Sequence, residues 1–166
     1  VNTEAHVETT ANEIWTQTSS KVDGFVCAVG TGGTLAGVSL GLKNKNKDIK
    51  IGLSDPMGSS LYSYVKNKKL ESKGNSITEG IGTGRITKNF EKAIIDDAFQ
   101  TDDVEALKVV YDLIEKQNII LGGSSGINIA GAVKLAKKLG KGKTIVTILC
   151  DDGRRYTSKI FNKEFL

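Results

Sequence analysis

The chain has 166 residues, 39% apolar and 25% charged, proportions that support one folded domain with a sizeable core and exclude a disordered chain. Its net charge of +4 comes largely from two lysine clusters, at 43–50 and 134–143, with no aromatic residues interleaved, which argues for a solvated surface and against a nucleic-acid interface. Two cysteines, Cys27 and Cys150, both in apolar runs, are expected as buried free thiols of a reducing compartment, and one histidine, His6, cannot build a zinc site and reads as a helix-start or packing residue.

In chain order, Val7, Ala11, Ile14 and Trp15 share one face at helical spacing and predict a helix over residues 4–19. The apolar run 25–29 predicts a strand, followed by the turn Gly30-Thr31-Gly32-Gly33-Thr34 and a small-residue helix to about Leu42. Residues 49–54 alternate enough for a second strand, ended by Asp55-Pro56, and residues 59–66 predict a short helix. The polar stretch 68–88 contains Glu79-Gly80-Ile81-Gly82-Thr83-Gly84, a glycine density that lets backbone approach a ligand or turn sharply. Residues 93–96 read as a short strand. Thr101 then reads as the cap of a helix with Asp102 and Asp103 in its first turn and a buried stripe of Val104, Leu107, Tyr111 and Ile114.

A brief apolar run at 119–121 leads into Gly122-Gly123-Ser124-Ser125-Gly126, a loop expected to start a helix with Ile129, Ala130, Val133 and Ala136 inward and Lys134, Lys137 and Lys138 outward. The β-branched run 144–150 predicts a last strand before Asp151-Asp152-Gly153-Arg154-Arg155-Tyr156. Strands alternating with helices imply an α/β fold, a three-layer doubly wound parallel sheet, whose ligands sit beyond the carboxyl ends of the strands. No segment is long enough to span a membrane and no signal peptide is evident, so a soluble, cytoplasmic chain is expected.

A strand that feeds a glycine turn and then a helix leaves several backbone N–H groups unpaired, with the positive end of the helix dipole behind them. The turn lacks the Lys-Ser/Thr pair of a nucleotide-triphosphate loop, since Thr34-Leu35 stands there. A dinucleotide fingerprint needs glycine at its sixth position, which is Leu35. What remains is a monophosphate held by main-chain N–H groups and the hydroxyls of Thr31 and Thr34, with an ordinary tight turn as the competing reading.

Taken together, the 30–34 turn, the 79–84 run, the 122–126 segment and the ending Leu149-Cys150-Asp151-Asp152-Gly153-Arg154-Arg155-Tyr156, with Thr9-Thr10 and Glu13-Ile14-Trp15 ahead of them, resemble the pyridoxal-phosphate-dependent cysteine synthases (O-acetylserine sulfhydrylases) in order and spacing. The resemblance covers essentially the whole chain and implies the large domain of a fold type II enzyme. It assigns the cofactor phosphate to Gly30, Thr31, Gly32, Gly33 and Thr34. It places Ser124, otherwise a plain helix cap, against the pyridine nitrogen of pyridoxal 5'-phosphate, where a neutral hydroxyl makes the ring a shallower electron sink than an aspartate would. Gly80, Gly82 and Gly84 would flank the substrate pocket, with a surface turn as the competing view.

The activity implied is formation of L-cysteine and acetate from O-acetyl-L-serine and sulfide by β-elimination and β-replacement. The implied partners are a second copy of the chain and the C-terminus of serine acetyltransferase, with no nucleic acid, membrane or metal. The family's Schiff-base lysine and its substrate-carboxylate loop have no counterpart here; Lys21 is the sole lysine before residue 30 and lies in a polar turn. Residues 1–166 are therefore expected to be an incomplete large domain, beginning at Val1 within a longer polypeptide and inactive alone. Two other readings are a cystathionine β-synthase-like enzyme, whose ending also resembles Cys150-Asp151-Asp152, and a non-catalytic phosphate-binding module.

Overall fold

The computed structural model describes residues 2–162 and 164–165. Four parallel strands lie in the order β3-β2-β1-β4: β1 (Gly24–Cys27), β2 (Lys50–Pro56), β3 (Asp97–Thr101) and β4 (Ile145–Thr147). In register, Phe25 stands beside Ile51 on one side and Val146 on the other, and Gly52 beside Asp97. Every residue of β1 is buried, which is why its sequence is a continuous apolar run and not an alternating one.

The period-two alternation of the strands separates two faces. Phe25, Cys27, Ile51 and Leu53 enter one core cluster with Leu35, Val38 and Leu42 of α3 (Gly33–Lys45) and with Ala11 and Ile14. Val26 and Ser54 face α6 (Gly123–Leu139), so tightly that a Cβ at Gly131 would stand 2.4 Å from Ser54 Oγ. The sheet is thus sandwiched in three layers, with α5 (Asp103–Gln117) packed behind α6. Among the described residues no helix is long and apolar enough to cross a membrane.

Several local expectations are corrected. The first helix is two, α1 (Asn2–Glu8) and α2 (Thr10–Gln17), broken where the Thr9 hydroxyl donates back to the Ala5 carbonyl at 2.7 Å and bends the chain. The third strand begins at Asp97, not at 93, because the Asp96 carboxylate accepts from Ile51 N–H (2.8 Å) and ends the approach to β2 there. Asp55 and Pro56 extend β2, since they pair with Gln100 and Thr101. Asp102, not Thr101, caps α5, its Oδ1 accepting from Glu105 N–H at 2.8 Å.

The helix faces are rotated too. Ala106 and Val110 form the buried face of α5, and Val104 is 78% exposed, because small residues let the backbones of α5 and α6 approach: a Cβ at Gly126 would stand 2.5 Å from the Ala106 carbonyl oxygen. On α6 Ala130 is buried as expected, with Ser124, Ile127, Asn128, Gly131 and Leu135 beside it, and Val133 points outward. The short helix α4 occupies Leu61–Asn67. The lysine clusters form ion pairs, Lys43 with Asp96 (2.8 Å), Lys134 with Glu105 (2.6 Å) and Lys143 with Asp23 (2.9 Å).

Candidate functional site

At the carboxyl ends of β1 and β4 the backbone ladder gives way to one side chain. Buried Asn128 accepts the Ala28 N–H through Oδ1 (2.6 Å), and its Nδ2 donates to the Ile148 carbonyl (2.8 Å) and to Cys150 Sγ (3.3 Å). The substitution keeps buried backbone groups paired while the two strand ends splay apart. It also ends β4 at Thr147, well short of the predicted 150, and leaves Cys150 exposed, contrary to the expectation of two buried thiols; Cys27 is buried. Nothing in the sequence singled out Asn128, an uncharged polar residue on a helix face.

The turn after β1 opens into α3 at Gly33, and Gly32 adopts φ +86°, with a Cβ there standing 2.8 Å from Phe90 N. Only glycine meets both demands without strain. Among the described residues, none of the N–H groups of Gly30, Thr31, Gly32, Gly33 and Thr34 donates a hydrogen bond, and the Asn2 side chain lies against Gly33. These donors, at the N-terminus of a 13-residue helix, form a cradle of the right chemistry for an anion. Thr34 Oγ1 lies 3.2 Å from His6 Nε2, while His6 Nδ1 lies 2.9 Å from Thr10 Oγ1. His6 is therefore more than a packing residue: it holds the Thr34 hydroxyl at the mouth of the turn, a role no local pattern announced.

The 79–84 run crosses this turn. Gly82 N–H donates to the Val29 carbonyl (2.8 Å), and a Cβ at Gly30 would stand 2.5 Å from the Gly80 carbonyl oxygen. Ser59 Oγ donates to the Thr83 carbonyl (3.1 Å) and accepts from Thr83 N–H (3.0 Å), clamping the run to the start of α4. Gly80 lines a cavity of about 500 Å³ together with Ser124, Cys150, Asp151, Tyr156, Glu79 and Ile81. Gly82 and Gly84 line a different cavity, of about 330 Å³, with Ile81 bordering both. The structure thus brings Gly80 to Ser124 and the turn, while Gly82, bonded to Val29 beside the turn, faces the other cavity with Gly84.

Ser124 lies in the first turn of α6, so residues 123–126 are helix and not the predicted loop. The segment is locked to the chain end: Cys150 N–H donates to Ser125 Oγ (2.9 Å) and Gly122 N–H to the Asp151 carbonyl (3.1 Å). The turn of 30–34 and Ser124 both border the 79–82 run at the carboxyl ends of the strands. Among the described residues, no lysine lines the 500 Å³ cavity.

Beneath the second cavity, fully buried Asp55 accepts from Tyr62 N–H through Oδ2 (2.7 Å), and its Oδ1 has no hydrogen-bond partner. Burial pushes the carboxyl up to about 6, outweighing the Tyr62 backbone hydrogen bond that lowers it. The native state then binds an extra proton between the unfolded value of about 3.9 and about 6, so the contribution of Asp55 is most favourable below pH 4 and falls as pH rises through 6. Relative to Asp55→Asn, wild-type stability is expected to drop by of order 3 kcal/mol between pH 4 and pH 8. Urea denaturation of both proteins across that range checks it; a constant difference would refute it.

Residues 1–151 match the profile of the family described as "Pyridoxal-phosphate dependent enzyme". A cysteine synthase of Dictyostelium discoideum is 47% identical over 175 residues, covering 99% of this chain and 46% of the relative. Cysteine synthase 1 of Emericella nidulans is 44% identical over 170 residues, with coverages of 99% and 46%. The crystal structure of an O-acetylserine dependent cystathionine beta-synthase from Helicobacter pylori superposes with a TM-score of 0.84 at 32% identity, over 95% of this chain and 49% of that one. The chain spans about half the length of the curated relatives it matches.

Proposed function

We infer, for a chain that belongs to the pyridoxal-phosphate dependent enzyme family, that it supplies the phosphate and ring-nitrogen contacts of a cysteine synthase forming L-cysteine and acetate from O-acetyl-L-serine and sulfide. The observation that carries this reading is the pairing of an anion cradle of unpartnered amides at 30–34 with a hydroxyl at Ser124, both against the 79–82 run. The residues fit pyridoxal phosphate at two of its three anchor points: the ester phosphate at the turn, with Thr34 oriented by His6, and the ring nitrogen at Ser124. The third, a lysine amine for the aldehyde, is not among the described residues lining the cavity.

Bound pyridoxal phosphate supplies the electron sink for β-elimination and β-replacement. The chain's own residues hold the phosphate by fixed dipoles, orient the ring through Ser124 and close one side of the pocket with Gly80 and Ile81. With the lysine supplied by another segment, residues 1–166 act as an incomplete large domain. Support comes from the outer edge of β4, whose three residues are all half-buried, and from Leu149 beside it, 54% exposed, which together offer an edge for further strands. A cytoplasmic homodimer that receives the C-terminus of serine acetyltransferase belongs to the same reading.

The purified chain, supplied with pyridoxal phosphate, O-acetylserine and sulfide, is expected to form cysteine no faster than pyridoxal phosphate alone. Cysteine above that blank would overturn the assignment of the missing amine to another segment. In the protein that carries the lysine, sulfide is expected to outcompete homocysteine as second substrate. The reverse preference would move the reading to a cystathionine β-synthase, which the likeness to the Helicobacter pylori enzyme keeps as the second possibility.

A further inference from the structure

Three carbonyls at and before the 30–34 turn are each engaged by a donor. The Val29 carbonyl accepts from Gly82 N–H (2.8 Å), the Gly32 carbonyl from Ala36 N–H (3.0 Å) and the Thr31 carbonyl from Thr87 Oγ1 (2.7 Å). The first two donors are main chain. The third is a side chain, Thr87, just ahead of the short turn Phe90–Lys92.

The Thr87 hydroxyl is used at both ends. Its oxygen accepts from Phe90 N–H at 3.1 Å, and its proton goes to the Thr31 carbonyl, which can only accept. The series from Phe90 N–H through Thr87 O–H to Thr31 C=O therefore runs one way, and each bond polarises the next. The segment that carries Thr87 is itself anchored. Thr3 Oγ1 donates to Asn89 Oδ1 (3.1 Å), and Phe90 is buried with its backbone against Gly32.

In a planar trans peptide the carbonyl and the following N–H point in opposite directions. With the Thr31 carbonyl drawn to Thr87, the Gly32 N–H is turned the other way, where it donates to nothing among the described residues. A flip of that peptide plane would put a carbonyl oxygen in place of the amide and repel an anion. It changes φ at residue 32, and glycine, here at +86°, populates positive and negative φ about equally, so residue 32 itself does not hold the plane.

We propose that Thr87 is a positioning residue for the turn: its hydroxyl holds the Thr31–Gly32 peptide with the N–H toward the anion, and so sets the affinity of the cradle for a phosphate monoester. The inference rests on the reading of residues 30–34 as the phosphate turn.

The test is a titration of the nitrogen-15-labelled chain with pyridoxal phosphate, following the amide resonances of residues 30–34 and the dissociation constant together. In wild type the Gly32 amide proton is expected to move downfield on binding, and Thr87→Ser, which keeps the hydroxyl, should reproduce both shift and affinity. Thr87→Val keeps the shape and removes the donor; it should weaken binding roughly fivefold, the worth of about one net hydrogen bond, and diminish the Gly32 shift more than those of Gly33 and Thr34. Thr87→Ala serves where the valine variant does not fold. Wild-type affinity in Thr87→Val overturns the inference. So does a loss spread evenly over all five amides, or an equal loss in Thr87→Ser, since either would mark Thr87 as a packing residue only. Wild-type amides at 30–34 that do not respond to pyridoxal phosphate overturn instead the reading of the turn as the phosphate site.

Discussion

Gly32→Val is expected to disrupt the proposed phosphate cradle and to cost roughly 2–5 kcal/mol of stability, from left-handed strain added to overpacking. At φ +86° a β-branched residue is in a conformation it almost never adopts, and the new Cβ would press on Phe90 N at 2.8 Å and on Phe90 Cα and Cβ at 3.1 Å. Backbone atoms cannot turn aside as a flexible side chain can. Relief must come from shifting the turn or the short 3-10 turn Phe90–Lys92. A shift of the turn moves the amides of Gly33 and Thr34, so on the proposed phosphate assignment pyridoxal phosphate retention should fall at least tenfold, the equivalent of about 1.4 kcal/mol. Equilibrium dialysis and urea denaturation read the two effects separately. Retention within twofold of wild type would mean that the turn is not the phosphate site.

Phe25→Ala should be the more damaging change to the fold itself, lowering unfolding free energy by about 3–5 kcal/mol. Phe25 is fully buried at the centre of the sheet, with β2 on one side of its strand and β4 on the other, and its ring joins the cluster of Leu35, Val38, Leu42, Ile51 and Leu53. Close packing leaves that cluster little room to collapse into the vacated volume. Domains of this kind hold only about 5–15 kcal/mol in total, so one residue accounts for a large fraction. Because β1 feeds the 30–34 turn directly, pyridoxal phosphate binding should weaken in parallel with stability. A drop in denaturation midpoint equivalent to less than about 1 kcal/mol would show that the central strand is not the keystone described here.

The two changes act on different links of one chain of causes. Phe25 secures the strand, and Gly32 shapes what the strand delivers. Asp55 adds a third control, a buried carboxyl with an unpartnered oxygen beneath the clamp of Ser59 on Thr83, and its signature is a slope with pH and not a fixed loss.

Much of this was legible in residue order alone. An apolar run, a glycine turn and a small-residue helix can pack in few ways, because backbone donors at the helix start need partners and only glycine tolerates the turn; that reasoning led to residues 30–34 as the proposed phosphate turn, and the alternation of elements identified the parallel α/β sheet. Local pattern failed where distant contacts competed with it. Val104 and Val133 look inward by periodicity, yet the faces that α5 and α6 bury are the ones whose small residues let two backbones approach. The strand after 144 reads as long, yet Asn128, 20 residues from its acceptor on Ile148, takes over its hydrogen bonds and exposes Cys150. His6 against Thr34 and Asp151 against Ser124 are side-chain meetings across 28 and 27 positions, for which no short-range spacing rule exists. The sequence by itself determined what each segment can become, since propensity, glycine geometry and hydrophobic period act within a few residues; the tertiary structure alone decided which polar side chains meet at the site, since those contacts form only once separate helices gather at the carboxyl ends of the strands.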